Sequence, residues 1–228
     1  MSPGEVETSG RVVTVCWDGT RKNALGRVRY QELEQAARGV SADQVLVLRA
    51  RGPNFSAGQD LHEFAAARSA GRAAEELTCG ANAMTAVLRC AGPVVVLAQG
   101  AAIGAGALLV AAADVAVVTE SSWMRLPELE FGLPLGKSIA QHMLLEPLVR
   151  RMLYTGEHVD APVMASVGAA RLVGDDELRR VGDDIVRRLL SLDPEALRIA
   201  RRSWETESRE DIARAYEREV EECMAMLD

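Results

Sequence analysis

The sequence of 228 residues predicts an α/β body followed by an α-helical C-terminal region. Three observations predict it. Short β-branched runs alternate with helix-spaced segments up to about residue 175. Some of those runs are apolar at every position, as in strands buried on both faces. From Asp176 onward charge rises and only helical patterns remain. The expected organisation is therefore a core over residues 1–175 and a helical region over 176–228.

Taken in order, Val12–Trp17 is apolar and β-branched and reads as a strand, with Asp18-Gly19-Thr20 as the following turn. Val28, Leu33, Ala36 and Ala37 recur at near-helical spacing and give a helix ending at Arg38. Val45–Leu48 is a strand, and the segment from Arg51 to Gly58 is loop chemistry. A helix follows over Ala73–Cys90, and Pro93 opens the strand Val94–Ala98. Small residues from Gly100 to Gly106 form a turn into the apolar helix Ala107–Ala113, followed by a strand, Val115–Thr119, and a short stretch, Trp123–Leu126. Helices at Lys137–Leu145, Glu146–Tyr154, Glu177–Leu190, Pro194–Glu205 and Arg209–Leu227 complete the chain.

With 48% hydrophobic and 26% charged residues, the composition excludes disordered, collagenous and disulfide-scaffold classes. A net charge of −7 gives no global field for nucleic acid or anionic lipid, so neither is an expected partner. The opening MSPGEVETSG lacks the basic-then-apolar layout of a secretory leader. The run Pro93–Val118 is broken by Gln99, glycines and Asp114, so a cytoplasmic protein without a membrane partner is expected. Cys16, Cys79, Cys90 and Cys223 have no metal-ligand spacing and read as small buried hydrophobes.

Two segments place small residues where a strand gives way to a loop or helix: Phe55-Ser56-Ala57-Gly58-Gln59-Asp60 and Gly100-Ala101-Ala102-Ile103-Gly104-Ala105-Gly106. Such turns let a ligand approach the backbone, and N–H groups near a helix start are free donors. Two of them converging would hold an oxyanion such as a thioester enolate. Close helix–strand packing alone would also account for the glycines. Neither turn fits a dinucleotide fingerprint or a phosphate loop.

These segments, extended to Leu61, resemble the signatures of the crotonase (enoyl-CoA hydratase/isomerase) superfamily. Lys22-Asn23-Ala24-Leu25 is similar to its "NAL" element, Pro93–Gly100 with Ile103–Gly106 to its second signature, and Pro127-Glu128-Leu129 with Gly132-Leu133 to its third. The resemblance runs from Val12 to Asp228. It implies a crotonase-like spiral of ββα units with C-terminal helices, assembled as a homotrimer or hexamer, and an acyl-CoA thioester as substrate. No cofactor is implied beyond the coenzyme A of that substrate. The backbone N–H groups of Ala57 and Ala105 are the implied oxyanion donors. Lys22, Ala24, Ser56, Gly58, Asp60, Leu61, Gly104, Leu108 and Arg201 fall at implied substrate or CoA positions, the two cations near the CoA phosphates.

Side chains must assign the reaction. Hydratases of this family use two glutamates; Glu128 matches the second, while the first is Leu108 here, which moves no proton. The resemblance thus implies 3-enoyl-CoA to 2-enoyl-CoA isomerisation, with Glu128 as the single acid/base and its pKa raised by Leu108, Leu126 and Leu129. The aspartate of the dienoyl-CoA isomerases is replaced by Gly136. Asp60-Leu61-His62-Glu63 is similar to a decarboxylase branch, whose tyrosine is Leu135 here. An atypical hydratase, an acyl-CoA decarboxylase and a non-catalytic homologue are the alternatives. Glu120 and Glu130 read as surface residues.

Overall fold

The computed structural model describes residues 5–204 and 208–227. Residues 1–4 of the opening segment, Glu205 at the end of one expected helix, and Asp228 lie outside the described residues.

The hairpin β1 (Glu5–Ser9) and β2 (Val12–Trp17) is antiparallel. β2 then pairs in parallel with β3 (Val45–Ala50), after the helix α1 (Arg27–Gly39). Two helices, α2 (Leu61–Ser69) and α3 (Ala73–Leu88), precede β4 (Val94–Ala98). The short β5 (Ala101–Ile103) leads into α4 (Ala105–Ala111), and β6 (Val115–Thr119) and β7 (Trp123–Arg125) follow. Helices α5 (Lys137–Met143) and α6 (Glu146–Thr155) come next, then β8 (Val159–Asp160), α7 (Ala161–Ser166) and β9 (Arg171–Val173). The chain closes with α8 (Leu178–Leu190), α9 (Pro194–Trp204) and α10 (Glu210–Ala225).

The larger sheet has the order β1-β2-β3-β4-β6-β9, parallel apart from the first pair; a second sheet, β5-β7-β8, stands beside it. Alternation along the central strands divides two cores. Leu46, Leu48, Val94, Val96 and Val118 join the main core with α1, α3 and α4. Val45, Val47, Val95, Leu97 and Val117 face Val181 and Ile185 of α8 on the other side. This is why those strands are apolar at consecutive positions. The C-terminal helices thus complete the core: α8 covers the sheet, while α10 packs on α3 and α5.

All four cysteines are free and buried, as expected. The elements that the sequence left unmarked have physical reasons. Apolar residues of α2 surround the helix rather than forming a stripe, and β1, β8 and β9 are short or exposed edges. The helix expected from Ala107 begins at Ala105, which converts part of the second turn into a helix N-terminus. Among the described residues no helix is long and apolar enough to cross a membrane.

Candidate active site

The first turn lies against β5. Ser56 pairs with Ala102 in a parallel bridge, with Ser56 N donating to Ala101 O (3.1 Å) and Ile103 N to Ser56 O (2.9 Å). Gly58, at φ +80°, brings the two turns into contact: a Cβ there would stand 2.4 Å from Ile103 O and 3.3 Å from Ala105 N. No side chain fits at this position.

Successive amides of this turn have different fates. Ala57 N–H donates to Lys22 O at 3.0 Å, and Gly58 N–H to Ser56 Oγ at 3.1 Å. Gln59 N–H has no acceptor among the described residues, nor has Ala105 N–H at the start of α4. The expected pair of donors is therefore corrected. Ala57 lines the cavity, but its amide holds the chain together; the free pair is Gln59 and Ala105.

Lys22 supplies its carbonyl from a left-handed run, Arg21, Lys22 and Asn23, with φ of 49°, 54° and 57°. Such conformations cost on the order of 1 kcal/mol or more each and persist only where the surroundings hold them. Asn23 does so, accepting from Gly19 N (2.8 Å) and donating to Arg51 O (3.0 Å) and Asn54 O (2.9 Å). Ser56 Oγ donates to Asn23 O at 2.8 Å.

Glu128 enters from the opposite wall. After β7, Pro127 leads into a 3₁₀ turn, Glu128–Phe131, ended by Gly132 at φ +73°. The Glu128 side chain is 6% exposed, and its Oε2 has no hydrogen-bond partner among the described residues. Oε1 stands against the glycine that precedes Ala105, 3.1 Å from where a Gly104 Cβ would be. Burial pushes the Glu128 carboxyl up to about 7; nearby Arg125 opposes the rise and Glu130 adds to it. The expected contribution of Leu129 is corrected, because Leu129 points to solvent, 38% exposed, whereas Leu126 and Leu108 are buried.

Between these walls lies a cavity of about 510 Å³ lined by Ala57, Gln59, Ile103, Gly104, Ala105 and Glu128, with exposed Leu61 and Phe131 also on its lining. Glu128 is its sole carboxylate among the described residues. Leu108 of α4 lies deeper, beside Glu128 in an inner chamber, filling with hydrocarbon the place of a second acid.

Other expected positions serve the frame. Ser56 and Gly58 are buried in the turn contact. Asp60, 2% exposed, caps α2 by accepting from His62 N (3.0 Å) and Glu63 N (3.2 Å), and pairs with Arg21 (3.0 Å). Ala24 O accepts from Arg29 Nη1 at 2.9 Å. The Lys22 side chain is exposed and does not line the cavity. Arg201 is corrected outright: it is 5% exposed, paired with Asp114 at 2.7 Å and donating to Cys90 O at 2.9 Å, so it ties α9 to the core. Arg209 joins the same aspartate. His62 is exposed and away from the cavity lining; Glu120 and Glu130 are exposed as expected, Glu130 pairing with Arg125 at 2.5 Å. No cluster of metal ligands occurs among the described residues.

Sequence reasoning missed Gln59, Arg68, Arg125 and the aromatic pair Tyr30 and Tyr216, whose rings close the inner chamber. The signal for Gln59 was its place after a glycine: a left-handed residue turns the next peptide, aiming its N–H away from the preceding bonds.

Paired glycine turns, a buried carboxylate and a sheet-and-helix spiral together define a crotonase-type enzyme site. The enoyl-CoA hydratase/isomerase family matches over residues 8–226, and the chain belongs to that family, within the crotonase superfamily. It is 31% identical to the (7aS)-7a-methyl-1,5-dioxo-2,3,5,6,7,7a-hexahydro-1H-indene-carboxyl-CoA hydrolase of Rhodococcus jostii (strain RHA1), over 83% of this chain and 75% of that protein. It is 27% identical to the mitochondrial enoyl-CoA hydratase domain-containing protein 3 of Rattus norvegicus, over 86% of this chain and 67% of that protein. The crystal structure of an enoyl-CoA hydratase/isomerase from Xanthobacter autotrophicus Py2 superposes with a TM-score of 0.86 at 22% identity, covering 98% of this chain and 87% of that one. The chain is an acyl-CoA-processing member of the family.

Proposed function

We propose that the protein isomerises 3-enoyl-CoA thioesters to 2-enoyl-CoA thioesters. The thioester oxygen accepts the N–H groups of Gln59 and Ala105, which stabilise the negative charge that develops there. The Glu128 carboxylate removes a proton from carbon 2, leaving a dienolate. It returns that proton to carbon 4, so the double bond moves from carbons 3 and 4 to carbons 2 and 3. One group serves as base and then acid, and a carboxyl near 7 suits both roles at neutral pH.

The observation that carries this reading is that Glu128, the one carboxylate on the cavity lining among the described residues, has an unpartnered oxygen beside two free amides. Leu108 removes the second acid that would help to orient water. Coenzyme A is part of the substrate and no further cofactor belongs to the reading; a homotrimeric or hexameric assembly and a cytoplasmic location do. The test is to incubate the protein with a 3-enoyl-CoA and follow conjugation by ultraviolet absorbance. Appearance of the 2-enoyl thioester supports the reading, and its absence with bound substrate overturns it.

A second reading is hydrolytic, since the relative from Rhodococcus jostii is named a hydrolase. Release of a free carboxylate with consumption of water would distinguish it.

A further inference from the structure

Behind Glu128 the cavity continues into a chamber of about 70 Å³, closed by Tyr30, Leu77, Met84, Leu108, Tyr216 and Val220. Most of this lining is hydrocarbon, yet polar atoms that lack partners line it. Gln59 Nε2 and Glu128 Oε2 are both buried without a hydrogen bond, so they do not bond each other. Buried donors and acceptors are ordinarily satisfied, and those left open are costly to the fold.

The orientation of the Gln59 carboxamide is fixed. Tyr30, 1% exposed, donates its hydroxyl to Gln59 Oε1 at 2.9 Å, which leaves the amino group as the end available to the chamber. The opposite arrangement would leave the Tyr30 proton without an acceptor and aim a carbonyl oxygen at a chamber that Glu128 already lines. A buried N–H donor without an acceptor therefore borders a mostly hydrocarbon space that holds only a few heavy atoms.

We propose that Gln59 is a specificity-determining residue: its side-chain amide donates to a ketone or hydroxyl oxygen on the acyl group, so the enzyme takes oxygen-substituted acyl thioesters in preference to plain hydrocarbon ones. This rests on the reading of Gln59 and Ala105 as the thioester site, because it makes one residue serve twice. The main-chain N–H holds the thioester oxygen and the side chain inspects the acyl chain beyond it. A hydrocarbon chain entering the chamber leaves Nε2 without an acceptor, whereas an oxygen supplies one. Sites built around such a buried donor reject analogues that lack the matching group.

The experiment is a binding titration of the purified full chain, by calorimetry, with hexanoyl-CoA and its 3-oxo, 4-oxo and 5-oxo counterparts. At least one oxo thioester is expected to bind about tenfold more tightly than hexanoyl-CoA, equivalent to about 1.4 kcal/mol. In Gln59→Met, of similar size but with no donor, that ratio falls below twofold. In Tyr30→Phe, which frees the carboxamide to turn, it falls about threefold, and this variant decides if Gln59→Met does not fold. Oxo thioesters binding within twofold of hexanoyl-CoA in the wild type, or a ratio unchanged in both variants, overturns the proposal while leaving the thioester site intact. Failure of every thioester to bind overturns the thioester site itself, and this inference with it.

Discussion

Replacing Glu128 by glutamine keeps the shape of the side chain and removes its charge and its basicity, so it perturbs rate and stability in opposite directions. Burial raises the Glu128 carboxyl from 4.5 to about 7. At about 1.4 kcal/mol per pH unit, that rise corresponds to roughly 3 kcal/mol for keeping the ionised form in the folded chain. Below pH 4.5 the group is protonated in folded and unfolded chains alike and nothing is lost. Stability declines as pH rises from there through 7, and above 7 the penalty is complete. A neutral glutamine side chain carries none of it. Glu128→Gln is therefore expected to melt higher than the wild type at pH 8, by up to about 6–12 °C for a domain of this size, and no higher at pH 4.5. Its turnover of a 3-enoyl-CoA is expected to fall by about 10²–10⁴-fold, the usual contribution of a positioned acid/base. The assays are melting scans at both pH values and ultraviolet-detected conjugation. Turnover within tenfold of the wild type, or a lower melting temperature at pH 8, would refute the reasoning.

Wild-type kcat/KM is expected to rise with pH through about 7 and then level, because only the ionised Glu128 accepts the carbon-2 proton; a profile flat from pH 5 to 9 would count against its role. Asp60→Ala removes the cap of α2, the helix that carries Leu61, Phe64 and Arg68 to the cavity. It is expected to cost about 1 kcal/mol in urea unfolding and to raise KM more than it lowers kcat. Arg201→Met leaves Asp114 paired with Arg209 and Val94 N alone and is expected to cost about 1–3 kcal/mol in the same assay, while KM for acyl-CoA stays within twofold.

Strands and glycine turns were legible in the sequence because burial on both faces leaves a continuous apolar run, as in Val45–Leu48, and because Gly58 and Gly104 occupy conformations that demand glycine. Glu128 was legible through its motif, and its burial through the neighbouring leucines. The fate of individual amides was not. Whether Ala57 N–H is free depends on Lys22 O, contributed by a left-handed turn 35 positions earlier in the chain, where no glycine advertises the conformation. Arg201 reads as a cation for the CoA phosphates because charge alone does not disclose that Asp114 waits beneath it. Tyr216 falls within the expected helix Arg209–Leu227, where nothing in the pattern marks it for a site. Only the docking of that helix against α3 reveals that Tyr216 closes a chamber beside Glu128.

The central claim, proton transfer from carbon 2 under an oxygen held by Gln59 and Ala105, is open to direct measurement with a substrate labelled at carbon 2. Ala105 occupies the first position of α4, where proline is compatible with the helix and removes the N–H. The wild type turning over a 3-enoyl-CoA deuterated at carbon 2 is expected to carry deuterium to carbon 4 of the recovered thioester, detected by deuterium NMR. Ala105→Pro, folded and still binding the thioester, is expected to do so about 10²–10³-fold more slowly. Wild-type thioester recovered without deuterium at carbon 4, or label moving equally fast in Ala105→Pro, would contradict the account.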